Sequence, residues 1–424
     1  MARLEMNRAA RSLAATGMLL SAALALSAAG PARAADTAGA PGEWLTQYST
    51  ARVLGMGGAY VATPGDALGA LWNPAGLTML DQNEVQFENA QLFEDTSING
   101  FSLAVPGSWL PSFGLTMVSL HSKDFQRTDE MNNPLGTFSE GETAYLLTLS
   151  RAMTPRFAIG ANMRLVQQTV ESASGSGFGM DLGAVANLPH NLRAGVSLSN
   201  LSGPTLTLRD TKETFPMQAR GGLSMSLFDG RGTVALQVDH STGLGTQVHA
   251  GTEYWLFPMF GMRAGYADGR GSGGFSYRFG PAYTLDYAAS DEALGVTQRI
   301  GINYRFGGFF ASSKAEPEAF SPTGENPVTR ISLNARTKAQ ADNWKLDIVN
   351  KSDTVVRSFG GSGKPPSHIE WDGKDETGLA LPDGIYRYRL HVTDHQGRQI
   401  DSPEGTVEIS TGGPQVKVPV VSTP

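Results

Sequence analysis

From residue 84 to residue 306 the sequence repeats one pattern, roughly ten residues of alternating apolar and polar character followed by a turn. In residues 299–306 (RIGINYRF), Ile300, Ile302, Tyr304 and Phe306 fall on one face and Arg299, Gly301, Asn303 and Arg305 on the other, because strand side chains alternate sides. Phe157, Ile159 and Met163 likewise oppose Gly160, Asn162 and Arg164, and Val196 and Leu198 oppose Arg193, Gly195 and Ser197. A soluble sandwich also alternates. Here, however, the polar face is rich in glycine with scattered arginines, as a crowded lumen requires, and the connections keep a parity. Tight turns at residues 106–111, 154–155, 189–191, 229–231, 258 and 280–281 occupy every second connection, and the others include the long polar stretches 123–142 and 201–213. The pattern therefore predicts an all-β fold, an antiparallel transmembrane β-barrel of about 14 strands, with twelve as the alternative count. Strands are expected at 84–92, 97–105, 112–122, 143–151, 156–170, 176–187, 191–199, 214–228, 232–240, 246–256, 260–267, 273–279, 282–289 and 296–306.

Composition removes other classes. Arg3, Arg8 and Arg11 precede an apolar run at residues 13–29, and Ala32-Arg33-Ala34 supplies a cleavage pattern, so residues 1–34 read as a signal peptide. Beyond it no apolar run approaches the roughly 18 residues of a membrane helix, whereas a closed barrel crosses a bilayer with an unremarkable hydropathy. The chain has no cysteine, so disulfides and thiolate metal sites are unavailable. A net charge of −7 without a basic face argues against nucleic acid. Residues 269–274 form a G-x-G-x-x-G with no helix behind it, and no nucleophile elbow or zinc-protease motif occurs. The chain reads as a non-enzyme without cofactor or metal. His240 and His249, which approach each other across residues 241–245, are too few for a metal centre.

Ahead of the strands lies residues 52–80 (RVLGMGGAYVATPGDALGALWNPAGLTML), neither an ordinary strand nor a long helix. Gly55, Gly57 and Gly58 permit tight turns and close packing, Asp66 to Trp72 can form a short helix, and Asn73-Pro74 ends it. This wording resembles the N-terminal hatch of the FadL/PorV group of outer-membrane barrels, in which a glycine-rich box precedes an acidic turn and a W-N-P-A-G-L box. Its hatch motif maps onto Leu54, Gly55, Gly57, Gly58, Asp66, Trp72, Asn73, Pro74 and Ala75. The resemblance implies a plug inside the barrel. Given the strand register, Arg164, Arg193, Arg220, Arg263, Arg299, Arg305, Asp181, Asp239 and Glu253 face the lumen, where they can pair with each other and the hatch or steer an anion.

Past residue 306 the composition shifts. Residues 311–319 read as a linker, 320–411 as a second β-domain and 412–424 as a disordered tail. Residues 371–390 (WDGKDETGLALPDGIYRYRL) resemble the FlgD-type immunoglobulin-like module, with Trp371 as core anchor and Tyr386, Tyr388 and Leu390 on one face. The related calcium loop is incomplete here, since residues 320–326 (FSPTGEN) lack its aspartates. The resulting domain order is signal peptide 1–34, hatch 35–82, barrel 83–310, linker, module and tail. Resemblance to the PorV branch, with its type IX secretion role, implies an outer-membrane component of protein export or an envelope complex. Its expected partners are outer-membrane lipid and secretion-machinery or secreted proteins, and both the N-terminus and the module would lie in the periplasm. The FadL branch implies the alternative, a channel for hydrophobic small molecules. A structural envelope protein is the second alternative.

Overall fold

The computed structural model describes residues 42, 44–45, 50–92, 96–108, 110–208, 211–242, 245–292, 295–324 and 327–411. The signal peptide at 1–34, the first hatch residues at 35–41 and the tail at 412–424 lie outside the described residues.

The wall consists of β1 (Asn83–Gln91), β2 (Ser97–Val105), β3 (Ser112–Thr128), β4 (Pro134–Thr154), β5 (Phe157–Val170), β6 (Ala173–Asn187) and β7 (Leu192–Ser199). A small hairpin of β8 (Thr205–Leu208) and β9 (Thr211–Thr214) follows. The wall resumes with β10 (Gln218–Leu227), β11 (Gly232–Ser241), β12 (Gly245–Phe257), β13 (Phe260–Ala267), β14 (Arg270–Phe279), β15 (Tyr283–Glu292) and β16 (Gly295–Phe306). These fourteen strands form a closed antiparallel barrel. Closure comes from β1 against β16, in register from Asn83↔Phe306 to Gln91↔Gln298, which leaves the sheet no free edge. The all-β class and the count of fourteen are as the alternation predicted.

Two connections differ from expectation. Residues 123–142 are not a loop: β3 and β4 stay paired as a ribbon out to Thr128↔Pro134, with Phe125 stacked on Phe138 at 5.3 Å. Those two rings apart, the ribbon is mainly polar on both faces, so it carries no period-two signal although its backbone pairs fully. Residues 201–213 contain the β8–β9 hairpin, whose Leu206 is buried inside the barrel.

The outer face is apolar. Met163, Leu236, Leu223 and Ile302 are each more than half exposed, at 61%, 56%, 53% and 52%. A continuous belt of this kind is the lipid face of an outer-membrane barrel. At the tight-turn end, Tyr283, Tyr304 and Phe306 stack in sequence at 4.8 and 5.4 Å, and Tyr277 meets Phe279 at 4.6 Å. Aromatic rings gather at the bilayer interface because they are amphipathic, so this cluster marks one membrane boundary.

The module begins directly after Gly307-Gly308, both at positive φ. The expected linker at 311–319 is instead largely β17 (Phe310–Glu316), paired with β19 (Thr329–Arg336) from Phe310↔Arg336 to Glu316↔Arg330. Its inward residues are Ala311 and Ala315, too small and too similar to serine for the alternation to be legible. β18 (Ala319–Phe320), β20 (Ala341–Val349), β21 (Val355–Ser362), β22 (His368–Trp371), β23 (Gly384–Asp394), β24 (Gln399–Asp401) and β25 (Gly405–Ile409) complete two facing sheets. Between them Trp371, fully buried, meets Phe320 and Tyr386 edge-on at 5.6 Å each, and Tyr388 Oη accepts the Ala315 N–H at 2.8 Å. Trp371→Ala is expected to cost the module about 3–5 kcal/mol. In the full chain this lowers the module's melting transition by circular dichroism and leaves the heat-modifiable barrel band on gels unchanged.

Candidate functional site

No described helix is long or apolar enough to cross a membrane, and the helical turns of the chain lie inside the barrel. They are α1 (Ala51–Gly55) and two 3-10 helices, Ala67–Leu71 and Pro74–Met79. Sequence reasoning placed one short helix at 66–72; residues 50–80 of the hatch hold three. Each is too short to satisfy its own N-terminal N–H groups, so each needs caps. Thr50 caps α1 through Val53 N at 3.2 Å, Asp66 caps the second helix through Gly69 N at 2.7 Å, and Asn73 caps the third through Ala75 N at 3.1 Å, with Pro74 preset at its first position.

The wall completes the capping. Three successive inward residues of β1 accept hatch N–H groups: Glu84 from Ala67 at 3.0 Å, Gln86 from Leu68 at 3.0 Å and Glu88 from Ala51 at 3.1 Å. Across the lumen Gln237 Oε1 accepts from Tyr60 N and Val61 N at 2.8 and 2.7 Å. Asn73 Nδ2 donates to Val61 O, Ala184 O and Val196 O, and Asn162 Nδ2 donates to Ala70 O at 3.0 Å. The first motif box is held at Gly57, where φ is +61° and a Cβ would stand 2.4 Å from Tyr266 N, so only glycine fits. His249 Nδ1 lies 2.8 Å from Gly57 O, and its Nε2 lies 3.5 Å from Asp239. His240 faces outward onto Thr246, so the two histidines do not converge.

The structure places all nine lumen candidates on the inner face. Arg164 pairs with Asp181 at 2.7 Å and donates to Asn200 at 2.8 Å. Arg220 lies 3.4 Å from Asp239 and stacks over Trp72 of the hatch at 5.1 Å. Arg263 and the hatch residue Arg52 share Glu253, at 2.6 and 3.1 Å, and Arg263 also reaches Asp286 at 3.0 Å. Arg52 approaches Asp66, which accepts the Tyr60 hydroxyl. Arg305 pairs with Glu84 at 3.7 Å and donates to Thr284 at 2.6 Å, Arg299 is buried further along the same strand opposite Ala90 and Ala288, and Arg193 donates to Asn187 at 2.8 Å. Arg193 also borders a cavity of about 240 Å³ with Arg52, Met56, Tyr60 and Met79, smaller than an ordinary ligand pocket of roughly 300–1,000 Å³.

Sequence reasoning missed Glu84, Gln86, Glu88, Asn162, Gln237 and Asp286. Those on β1 were legible in principle, since NEVQFENAQ alternates and places Glu84, Gln86 and Glu88 on one face. It also took the inward rows as polar. On the loop side of the hatch they are not: Ala90, Ile98, Val118, Ala144, Leu146 and Val166 of β1 to β5 point inward, each 3% exposed or less. They pack with Leu206, Phe215 and the hatch residues Leu68 and Leu71, while Trp44 and Leu45 enter the same cluster and Trp44 Nε1 donates to Glu142. The hatch is thus held by polar inward residues and, on the β1 to β5 side, by an apolar cluster packed against it.

The comparisons with known proteins fall on the two domains separately. Among solved structures the barrel is similar to the CymD monoaromatic hydrocarbon channel, at 15% identity over 60% of this chain and 96% of that one, with a TM-score of 0.46. It is similar to the Pseudomonas putida toluene transporter TodX at 14% identity, with 60% and 96% covered and a TM-score of 0.46, and to a Pseudomonas aeruginosa FadL homologue at 13%, with 61% and 98% covered and a TM-score of 0.47. No curated protein matches the sequence. Residues 321–396 match the FlgD Ig-like domain family, so the domain that follows the barrel is a FlgD-type immunoglobulin-like module.

Proposed function

We propose that the protein is an outer-membrane channel for small hydrophobic molecules, closed by its hatch. The observation that carries this is the apolar lining of β1 to β5 on the loop side of the hatch, packed against Leu68 and Leu71. A lumen is ordinarily polar because water fills it, whereas Ile98, Val118, Leu146 and Val166 give one side of this one an apolar surface. Apolar walls favour apolar solutes over water, and this apolar seam against the hatch becomes a path for them once the hatch moves. Short turns face the periplasm in bacterial barrels, which puts the loop end outside, and the module and the last hatch residues on the periplasmic side. Solute then enters along this lining from outside and leaves when the hatch shifts.

The test is uptake of a fluorescent naphthylamine into proteoliposomes. Leu146→Asp places a carboxylate in the apolar lining and is expected to reduce uptake at least about tenfold without raising ion leak, since desolvating that charge opposes an apolar solute. Uptake equal to that of the unsubstituted protein would remove this lining from the pathway and return the export-partner reading to first place.

A further inference from the structure

Among the described residues the module meets the hatch at Lys338 and Phe309. Lys338 lies in the turn between β19 and β20, yet it is only 8% exposed, because its side chain reaches under the barrel to the end of the last 3-10 helix. Its ammonium donates to Thr78 O at 3.1 Å and to Leu80 O, and pairs with Asp81 Oδ1 at 3.1 Å. Three donors meet three acceptors, which is how a lysine tolerates burial. Burial lowers the lysine pKa and Asp81 opposes that shift. Phe309 seals the joint: its N–H donates to Asp81 O at 2.6 Å and its ring centroid lies 5.7 Å from the ammonium.

Both sides of this contact are held. On the module, Ala339 N donates to Asp394 Oδ2 at 3.3 Å and His395 N to Gln340 O at 3.0 Å, and buried Asp394 also accepts from Gln396 N and Arg398 N. Lys338 therefore rides on a braced corner of the module. On the hatch, the helix that Lys338 grips at its end begins at Asn73, whose amide is bound to wall carbonyls. Residues 74–81 are pinned by the wall at one end and by the module at the other.

We propose that the module is the latch of the hatch, with Lys338 as its positioning residue, so that undocking the module frees residues 75–81 and couples whatever engages the module to opening of the barrel. This rests on the reading of the hatch as a movable plug, but on no particular solute.

The test is hydrogen exchange on the full chain in proteoliposomes, with ion leak measured on the same preparation. Lys338→Met is expected to speed exchange at residues 75–81 at least about tenfold and to raise ion leak, while α1 and the module strands exchange as before. Lys338→Arg, which keeps a charged donor, restores both readouts. Asp81→Asn alters the barrel side and not the module, and gives a smaller change of the same sign, so misfolding of the module in one variant does not decide the matter. Unchanged exchange at 75–81 in both variants overturns the proposal. So does an equal loosening of the whole hatch, which would make Lys338 a general support. Neither readout uses a hydrophobic probe, so the latch stands if the Leu146→Asp experiment fails, and falls alone if only these variants are silent.

Discussion

Gly265→Val is expected to open the barrel to ions without unfolding it. The hatch backbone from Met56 to Gly58 runs directly against β12 and β13, and a Cβ on Gly265 would stand 1.9 Å from Gly57 N and 2.4 Å from Met56 C. Gly251 and Gly195 make the same kind of contact, at 2.2 Å from Met56 O and from Val61 O. In each case the nearest atom is backbone, so no rotamer relieves the overlap, and either the strand or the hatch must move. The strand is fixed by hydrogen bonds on both edges, and valine suits a strand better than glycine does. The hatch is the part that yields. Conductance across a planar bilayer should rise at least about tenfold while the barrel stays heat-modifiable on gels. Gly271→Val is the control, because nothing lies within 4 Å of a Cβ there and no change is expected. A Gly265→Val barrel as tight as the unsubstituted one would mean that the hatch is not what closes the lumen.

These glycines also explain why the wall was legible in the sequence. An inward face must leave room for a second backbone, so it is written in Gly160, Gly183, Gly195, Gly251 and Gly265 between arginines, while the outward face is written in Leu, Ile and Met. Strand period and lumen charges follow from that contrast. The hatch was legible through two boxes whose glycines and Asn-Pro are each needed for a close approach or a cap. Legibility failed where the contrast vanishes. In β4, Ala144, Tyr145, Leu146 and Leu147 are apolar on both faces, so the inward apolar cluster left no alternation, and the β3–β4 ribbon, Phe125 and Phe138 apart, is mainly polar on both faces with the same result. β17 hid because alanine and serine differ too little. Lys338 had no signal, since a lysine in a polar turn between strands is ordinarily solvated, and only the docking of two domains buries it.

The largest electrostatic effect is expected from Glu253→Gln. One carboxylate serves two guanidinium groups there: Arg52 of the hatch donates to both of its oxygens, at 3.1 and 3.2 Å, and Arg263 of the wall donates at 2.6 Å. The Arg263 side chain is 1% exposed and that of Glu253 6%, so water does little to replace the lost charge. Breaking a buried pair by removing one partner costs roughly 3–5 kcal/mol, because the other charge stays behind unmatched. The wall arginine keeps Asp286 at 3.0 Å, whereas Arg52 keeps the longer contact to Asp66 at 3.8 Å and the Tyr60 ring at 5.6 Å, so the penalty falls mainly on the hatch. Amide exchange across α1 and residues 56–58 should accelerate on the order of a hundredfold or more, since about 1.4 kcal/mol corresponds to tenfold. The double substitution Arg52→Gln/Glu253→Gln removes the stranded charge together with its partner and should exchange more slowly than Glu253→Gln alone, a reversal that independent sites cannot give. Equal exchange in the single and double variants would show that this pair does not hold the hatch, leaving the β1 acceptors and the glycine seats as its attachment.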